Sequence, residues 1–187
     1  MLPVVIPFET FDRESISNYE DKLSVARNLA GVVESGQVIG AGSGSTAFLA
    51  IHAISERVAA GEISEVTLVP TSIEVQLTIA GLGLRVGDLA ADSPQWLFDG
   101  ADEVDPEGNL IKGRGGALFR EKILFRATRD RRVLVDASKM VQRLGSRFPV
   151  PVEVEPVALP VAIPALERLF PTEIGIRKAG GKDGPVI

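Results

Sequence analysis

The stretch Val38-Ile39-Gly40-Ala41-Gly42-Ser43-Gly44-Ser45-Thr46-Ala47 decides how this chain is read. Val38 to Ala41 make a short apolar run of strand length. Glycines and hydroxyl residues follow it, and then Ala47, Ile51, Ile54 and Val58 recur at helical spacing until Gly61. A glycine-rich turn from strand into helix lets the backbone approach an anion, while the amides and dipole of the helix start attract it. Position 45 is Ser rather than Gly, so the spacing is not a dinucleotide fingerprint. No Gly-Lys-Ser/Thr closes the loop as in a nucleoside-triphosphate site. A small phosphate therefore fits better than a nucleotide, and a plain tight turn is the alternative that spacing alone leaves open.

Upstream, Ile16, Tyr19, Leu23, Ala26, Ala30 and Val33 follow helical steps, with Gly36 where a C-terminal cap belongs. Downstream, Val66–Val69 reads as a strand closed by Pro70-Thr71-Ser72. A helix is expected over 72–81, a short strand at Leu84–Val86, and another at Trp96–Phe98 ending in Asp99-Gly100. Asn109–Lys112 is a short extended piece, 117–128 a helix, and Arg132–Val135 a strand running into Asp136. This alternation predicts an α/β fold with a largely parallel, Rossmann-like sheet and helices on both faces. Four strands end in polar tips: GSGST, PTS, DGAD and DASK. In such sheets ligands bind beyond the carboxyl ends, where those tips should converge. From Phe148 the texture changes: Pro149, Pro151, Pro156, Pro160, Pro164 and Pro171 punctuate a strand at Val152–Val154, a helix at about 161–169 and a strand at Ile174–Ile176. The expected division is a catalytic domain over 1–146 and a smaller α+β subdomain over 147–187. Gly180–Gly184 signals a turn, and Pro185-Val186-Ile187 begins a strand that stops, so the chain is expected to be truncated there.

Composition narrows the chemistry. The 187 residues are 45% hydrophobic and 24% charged, enough to bury a core. Lys and Arg number 20 against 25 Asp and Glu, a net charge of −5. Neither nucleic acid nor an anionic membrane is therefore expected as a partner. There is no Cys and one His, His52. Disulfides, Cys/His zinc sites and thiol nucleophiles are excluded, and a Ser–His–Asp triad would need His52. No apolar run approaches the roughly 20 residues of a membrane span. The first residues lack the basic head and apolar run of a secretory signal. A soluble, cytoplasmic protein is expected, and its catalysis must come from carboxylates, lysines, hydroxyls and backbone.

Among those groups, Asp99 stands out because it ends an apolar strand at the expected ligand edge. In the acidic run that follows, Glu103, Asp105 and Glu107 read as a solvated loop; a calcium loop lacks the alternating pattern it would need. Glu121 has Ala117, Leu118, Leu124 and Phe125 as its helical neighbours. A carboxylate centred on an apolar stripe should hold its proton more tightly, which suits a general base near neutrality; pairing with a buried Lys or Arg is the alternative. Lys22, Lys112 and Lys139 each flank a candidate element. Arg126, Arg129, Arg131 and Arg132 read as a solvated helix end, His52 as structural, and Trp96 and Phe98 as core.

Together these segments resemble the type A ribose-5-phosphate isomerases. The matching stretches are Gly40–Ala47, Val69–Ser72, Phe98–Asp105, Asn109–Ile123 and Asp136–Lys139, with Pro149–Val154 also similar. Arg114 and Phe119 depart from the family pattern, which has a glycine and a small polar residue there. The resemblance implies a Rossmann-like domain with a ferredoxin-like smaller one, and interconversion of D-ribose 5-phosphate and D-ribulose 5-phosphate through an enediolate. By resemblance Asp99, Asp102, Lys112 and Glu121 are catalytic, with Glu121 as base. Ser43, Gly44, Ser45 and Thr46 take the sugar phosphate, Gly100, Ala101 and Gly113 line the substrate site, and Lys22 and Lys139 border it. It also implies no metal or other cofactor, and a homo-oligomer, dimer or tetramer. Rival readings are a sugar-phosphate deaminase or lactonase on the same scaffold, or a non-catalytic sugar-phosphate sensor. A sensor should lack the Glu on its apolar stripe.

Overall fold

The computed structural model describes residues 13–170 and 173–177. Its elements are α1 (Tyr19–Gly31), β1 (Val38–Ala41), α2 (Ser45–Ala59), β2 (Thr67–Pro70), α3 (Ile73–Gly81), β3 (Arg85–Val86), β4 (Trp96–Gly100), β5 (Glu103–Val104), β6 (Leu110–Ile111), α4 (Leu118–Ala127), β7 (Asp130–Leu134) and α5 (Leu159–Leu169). Five strands form a parallel sheet in the order β3-β2-β1-β4-β7, while β5 and β6 pair as an antiparallel ribbon. The chain lays β2 and β3 to one side of β1, then returns to place β4 on the other. That reversal opens a crevice at the carboxyl ends of β1 and β4.

Period-two alternation divides the core between the two faces of the sheet. Ile39 and Ala41 of β1, Leu68 of β2, and Trp96 and Phe98 of β4 join one apolar cluster with Ala26 and Leu29 of α1, Ala47 and Ile51 of α2, and Val75 and Ile79 of α3. The intervening Val69 and Leu97 face the other way, against Leu124 of α4. Helices therefore cover both faces. Gly40 explains how closely α4 approaches, because a Cβ there would lie 2.7 Å from both Leu124 Cδ2 and Leu97 Cβ. With Leu124 seated over Gly40, Glu121 one turn earlier is carried toward the loop that follows β1.

Several boundaries differ from expectation. α1 stops at Gly31, where the amides of Val32 and Val33 turn back to Leu29 and Ala30. Arg57 donates to the carbonyls of Ala30 and Val33, satisfying the helix end from α2. Gly36 is thus no helix cap; with φ at 77° it serves the turn into β1. Arg131 and Arg132 belong to edge strand β7 rather than to a helix end, and the Arg132 guanidinium lies 3.9 Å from the Trp96 ring centroid. Beyond residue 147, α5 forms as expected, but neither Val152–Val154 nor Ile174–Ile176 is a strand among the described residues. Strands need ladder partners, and Pro149 and Pro151 take away donors from the residues leading into the first of these stretches. Glu153 instead accepts the Phe119 amide at 2.7 Å, satisfying a donor in the first turn of α4. The strand expected at 185–187 lies outside the described residues.

Candidate active site

β1 and β4 run side by side with Ala41 opposite Phe98, so their next residues, Gly42 and Asp99, emerge together. A Cβ on Gly42 would fall 2.2 Å from the Asp99 carboxyl carbon and 2.5 Å from its Cα. Only glycine lets the loop pass there. The loop then accommodates Gly44 at φ 88° before α2 begins at Ser45. The amides of Ser45, Thr46 and Ala47 have no carbonyl within the helix to meet, the situation that suits an anion. Ser43 faces the opposite way: its amide donates to Asp99 Oδ1 at 3.2 Å and its hydroxyl to Glu121 Oε1 at 2.7 Å.

Lys112 ties the rest together. It follows β6, and its ammonium lies 2.9 Å from Asp99 Oδ2 and 3.3 Å from Glu121 Oε2. It also donates to the Gly100 carbonyl and sits 5.4 Å from the Phe125 ring centroid. Asp99 is 1% exposed and Glu121 6%. Burial is the main force pushing the Asp99 carboxyl up, to about 7; the Lys112 charge opposes this and the nearby Glu121 adds to it. Burial works against the Lys112 charge, but Asp99 and then Glu121 hold its pKa above the ordinary lysine value. Two carboxylates thus share one ammonium in a site nearly closed to water, and a proton held on Asp99 near neutrality relieves the excess negative charge. Such an arrangement can accept and return protons beside a permanent cation.

The remaining expected residues fall into two groups. Asp102 bonds Ile111, the residue before Lys112, through its amide, and its carboxylate accepts the Arg114 amide at 3.0 Å. Ala101 is half-buried. Gly113 turns at φ 98° against Leu118, where a Cβ would meet Cδ2 at 2.2 Å. Lys22 lies beside Asp136, beyond β7, and Lys139 follows Asp136 by three residues in the short helical turn there. The buried Lys22 donates to Ser17 Oγ at 3.2 Å, and the Lys139 amide bonds the Asp136 carbonyl at 3.0 Å. Burial pushes the Asp136 carboxyl up, but Ser138, Lys22 and Asn18 together hold it below its usual range. Its place at a strand tip was the available signal for it. Glu103, expected to be solvated, is fully buried. It escapes detection because acidic neighbours on both sides make the run look uniformly wet. Among the described residues no group of three His, Cys, Asp or Glu is placed to hold a metal ion, and no helix is long and apolar enough to cross a membrane.

Residues 67–187 match the family described as Ribose 5-phosphate isomerase A (phosphoriboisomerase A). The chain belongs to the ribose-5-phosphate isomerase A family. It is 43% identical over 167 residues to the Ribose-5-phosphate isomerase A of Thermosynechococcus vestitus, an alignment covering 89% of this chain and 70% of that protein. The structure of ribose 5-phosphate isomerase A from Methanocaldococcus jannaschii superposes with a TM-score of 0.82 at 39% identity, over 91% of this chain and 76% of the other. A D-ribose-5-phosphate isomerase in complex with phospho-erythronic acid gives 0.84 at 39% identity, over 92% and 75%. The family's α/β architecture, with its mostly parallel sheet, is the one described above, and the protein is an aldose–ketose isomerase.

Proposed function

We propose that the Asp99–Lys112–Glu121 cluster interconverts D-ribose 5-phosphate and D-ribulose 5-phosphate, with the sugar phosphate held by the loop 44–46. The observation that carries this reading is the Lys112 ammonium within 3.3 Å of both carboxylates, beside a glycine-rich loop at the sheet's carboxyl edge. The likeness to an isomerase bound to a four-carbon phosphorylated acid supports it, since that ligand shares the phosphate and the polyol chain of the substrate.

With the sugar opened, Glu121 takes the proton from carbon 2, and the electron pair moves into an enediolate whose oxygen charge develops beside Lys112. Glu121 returns the proton to carbon 1. Asp99, protonated near neutrality, moves protons on and off the sugar hydroxyls and assists ring opening. Asp102 orients the substrate, while Gly100, Ala101 and Gly113 line its path. The amides after Gly44, with Ser45 and Thr46, hold the phosphate, while Ser43 braces Asp99 and Glu121; Lys22 and Lys139 lend positive charge from the β7 side. The division at residues 146/147, a cytoplasmic setting and a dimer or tetramer complete the proposal.

The test is a coupled assay for D-ribulose 5-phosphate with the purified chain, before and after exhaustive EDTA treatment. Turnover that survives chelation is expected. No product from D-ribose 5-phosphate, or activity lost on chelation and restored by a divalent ion, would overturn the mechanism.

A further inference from the structure

Glu103 is a carboxylate without a solvent-facing surface, one residue beyond Asp102. Its two oxygens collect the backbone amides of a turn more than forty residues later: Gly145 at 2.6 Å, Arg147 at 2.7 Å and Phe148 at 3.1 Å. Burial alone would push this carboxyl up; the gathered amides hold it below its ordinary value and keep it anionic.

What that anchor holds is the ribbon that carries the site. Glu103 pairs with Ile111 across β5 and β6, and the Asp102 amide bonds the Ile111 carbonyl at 2.8 Å. Asp102 and Lys112 therefore flank one cross-strand pair, and any displacement of Glu103 moves both. Next along, the Arg114 amide donates to Asp102 Oδ2 while its guanidinium lies 3.9 Å from the Phe148 ring centroid. Phe148 is thus held twice, its amide by Glu103 and its ring by Arg114. The contacts close a circuit: Asp102 to Arg114, Arg114 to Phe148, Phe148 to Glu103, and Glu103 back to Asp102 through the chain.

We propose that Glu103 is a positioning residue for the isomerisation site, clamping the β5–β6 ribbon to the 145–148 turn so that Asp102 and Lys112 keep their places. This rests on Asp102 belonging to the reacting site, as proposed above. Catalytic groups displaced by about an ångström can lose on the order of 10²-fold in rate, so even a partial release should be visible. The phosphate loop hangs from β1 and α2, outside the circuit, and should not notice the change.

The experiment is a double-mutant cycle on the full chain with Glu103→Gln, Asp102→Asn and the pair, reading kcat, KM for D-ribose 5-phosphate, inhibition by inorganic phosphate and Tm. Glu103→Gln should lower kcat by about tenfold or more while KM and phosphate inhibition stay within about twofold. The pair should be slower than Asp102→Asn alone by clearly less than Glu103→Gln slows the parent, because only Lys112 is then left to misplace. If Glu103→Gln does not fold, Glu103→Asp keeps the charge with a shorter reach and should show the same loss in kcat, less deeply. A folded variant with parental kcat, or losses that multiply in the pair, would overturn the role of Glu103 and leave Asp102 in place. An Asp102→Asn enzyme with parental activity would instead remove Asp102 from the site, and the clamp acting through it as well.

Discussion

Around the crevice between β1 and β4, the loop 42–46 offers a ligand its backbone, whereas Asp99, Lys112 and Glu121 offer charged side chains taken almost wholly out of water. The loop is contiguous in sequence and needs only glycines, a strand before it and a helix after it. The cluster is assembled from positions 99, 112 and 121, which β4, the β5–β6 ribbon and α4 bring within 3.3 Å of one ammonium. The difference separates two jobs. Amide donors at a helix start bind an anion with no titration of their own, so any pH dependence of the grip comes from the phosphate itself. Buried carboxylates beside a lysine are sensitive to every added or lost charge, and that sensitivity is what proton transfer uses.

The largest expected effect breaks the side-chain half alone. Glu121→Gln keeps shape and hydrogen bonding but removes the base, and kcat should fall by about 10²- to 10⁴-fold. Inhibition by inorganic phosphate should be unchanged, since the loop is untouched. Steady-state kinetics with a phosphate competition series reads both; turnover within a fewfold of the parent would exclude Glu121 as the base.

Next comes the charge state of Asp99. Unfolded, this carboxyl ionises near its ordinary 3.8; folded, only near 7. Between those values the folded chain holds a proton that the unfolded chain has lost. The group's contribution to stability therefore falls as pH rises from about 4 to about 7, and is flat above. Comparing urea unfolding of the parent and Asp99→Asn across that window should reveal a slope worth on the order of a few kcal/mol. Parallel curves would show that Asp99 is ionised throughout.

Gly42→Ala tests the seam between the two halves. The added Cβ meets Asp99 backbone as well as side chain, so the strands must part. We expect a loss of about 1–3 kcal/mol in stability. Because the shift lands on Asp99, kcat should fall by about tenfold while phosphate inhibition changes less. A parental Tm from calorimetry would show that the loop can move aside freely.

The smallest effect belongs to Ser43, which touches both halves. Ser43→Ala removes the hydroxyl bond to Glu121 and keeps the backbone amide that reaches Asp99. A loss of about 0.5–1.5 kcal/mol, read as a fewfold drop in kcat with little change in phosphate inhibition, is expected. A larger change in phosphate inhibition than in kcat would assign the hydroxyl to the anion instead.

Much of the site is legible in the order of residues. The strand–loop–helix at 38–58, the strand ending at Asp99 and the helix carrying Glu121 on an apolar stripe each follow from local period and turn chemistry. Their carboxyl-edge convergence follows from how parallel sheets are wound. Other features depend on partners far along the chain. Glu103 reads as solvated because its neighbours are acidic, yet the amides of 145–148 bury it. Val152–Val154 has strand-like composition, but composition supplies no ladder partner. Nothing in the residues around Lys22 announces Asp136, which the tip of β7 brings beside it.

By itself, then, the amino-acid sequence determined the parallel α/β class, the anion-suited loop and the types of group available for chemistry, because period, turn residues and composition act over a few neighbouring positions. Only the tertiary structure decided that one lysine would serve two carboxylates and that Asp99 would hold its proton to about 7. It likewise decided that a turn near residue 146 would anchor the ribbon beside Asp102. Distance, burial and charge sharing are properties of segments brought together, and no single segment contains them.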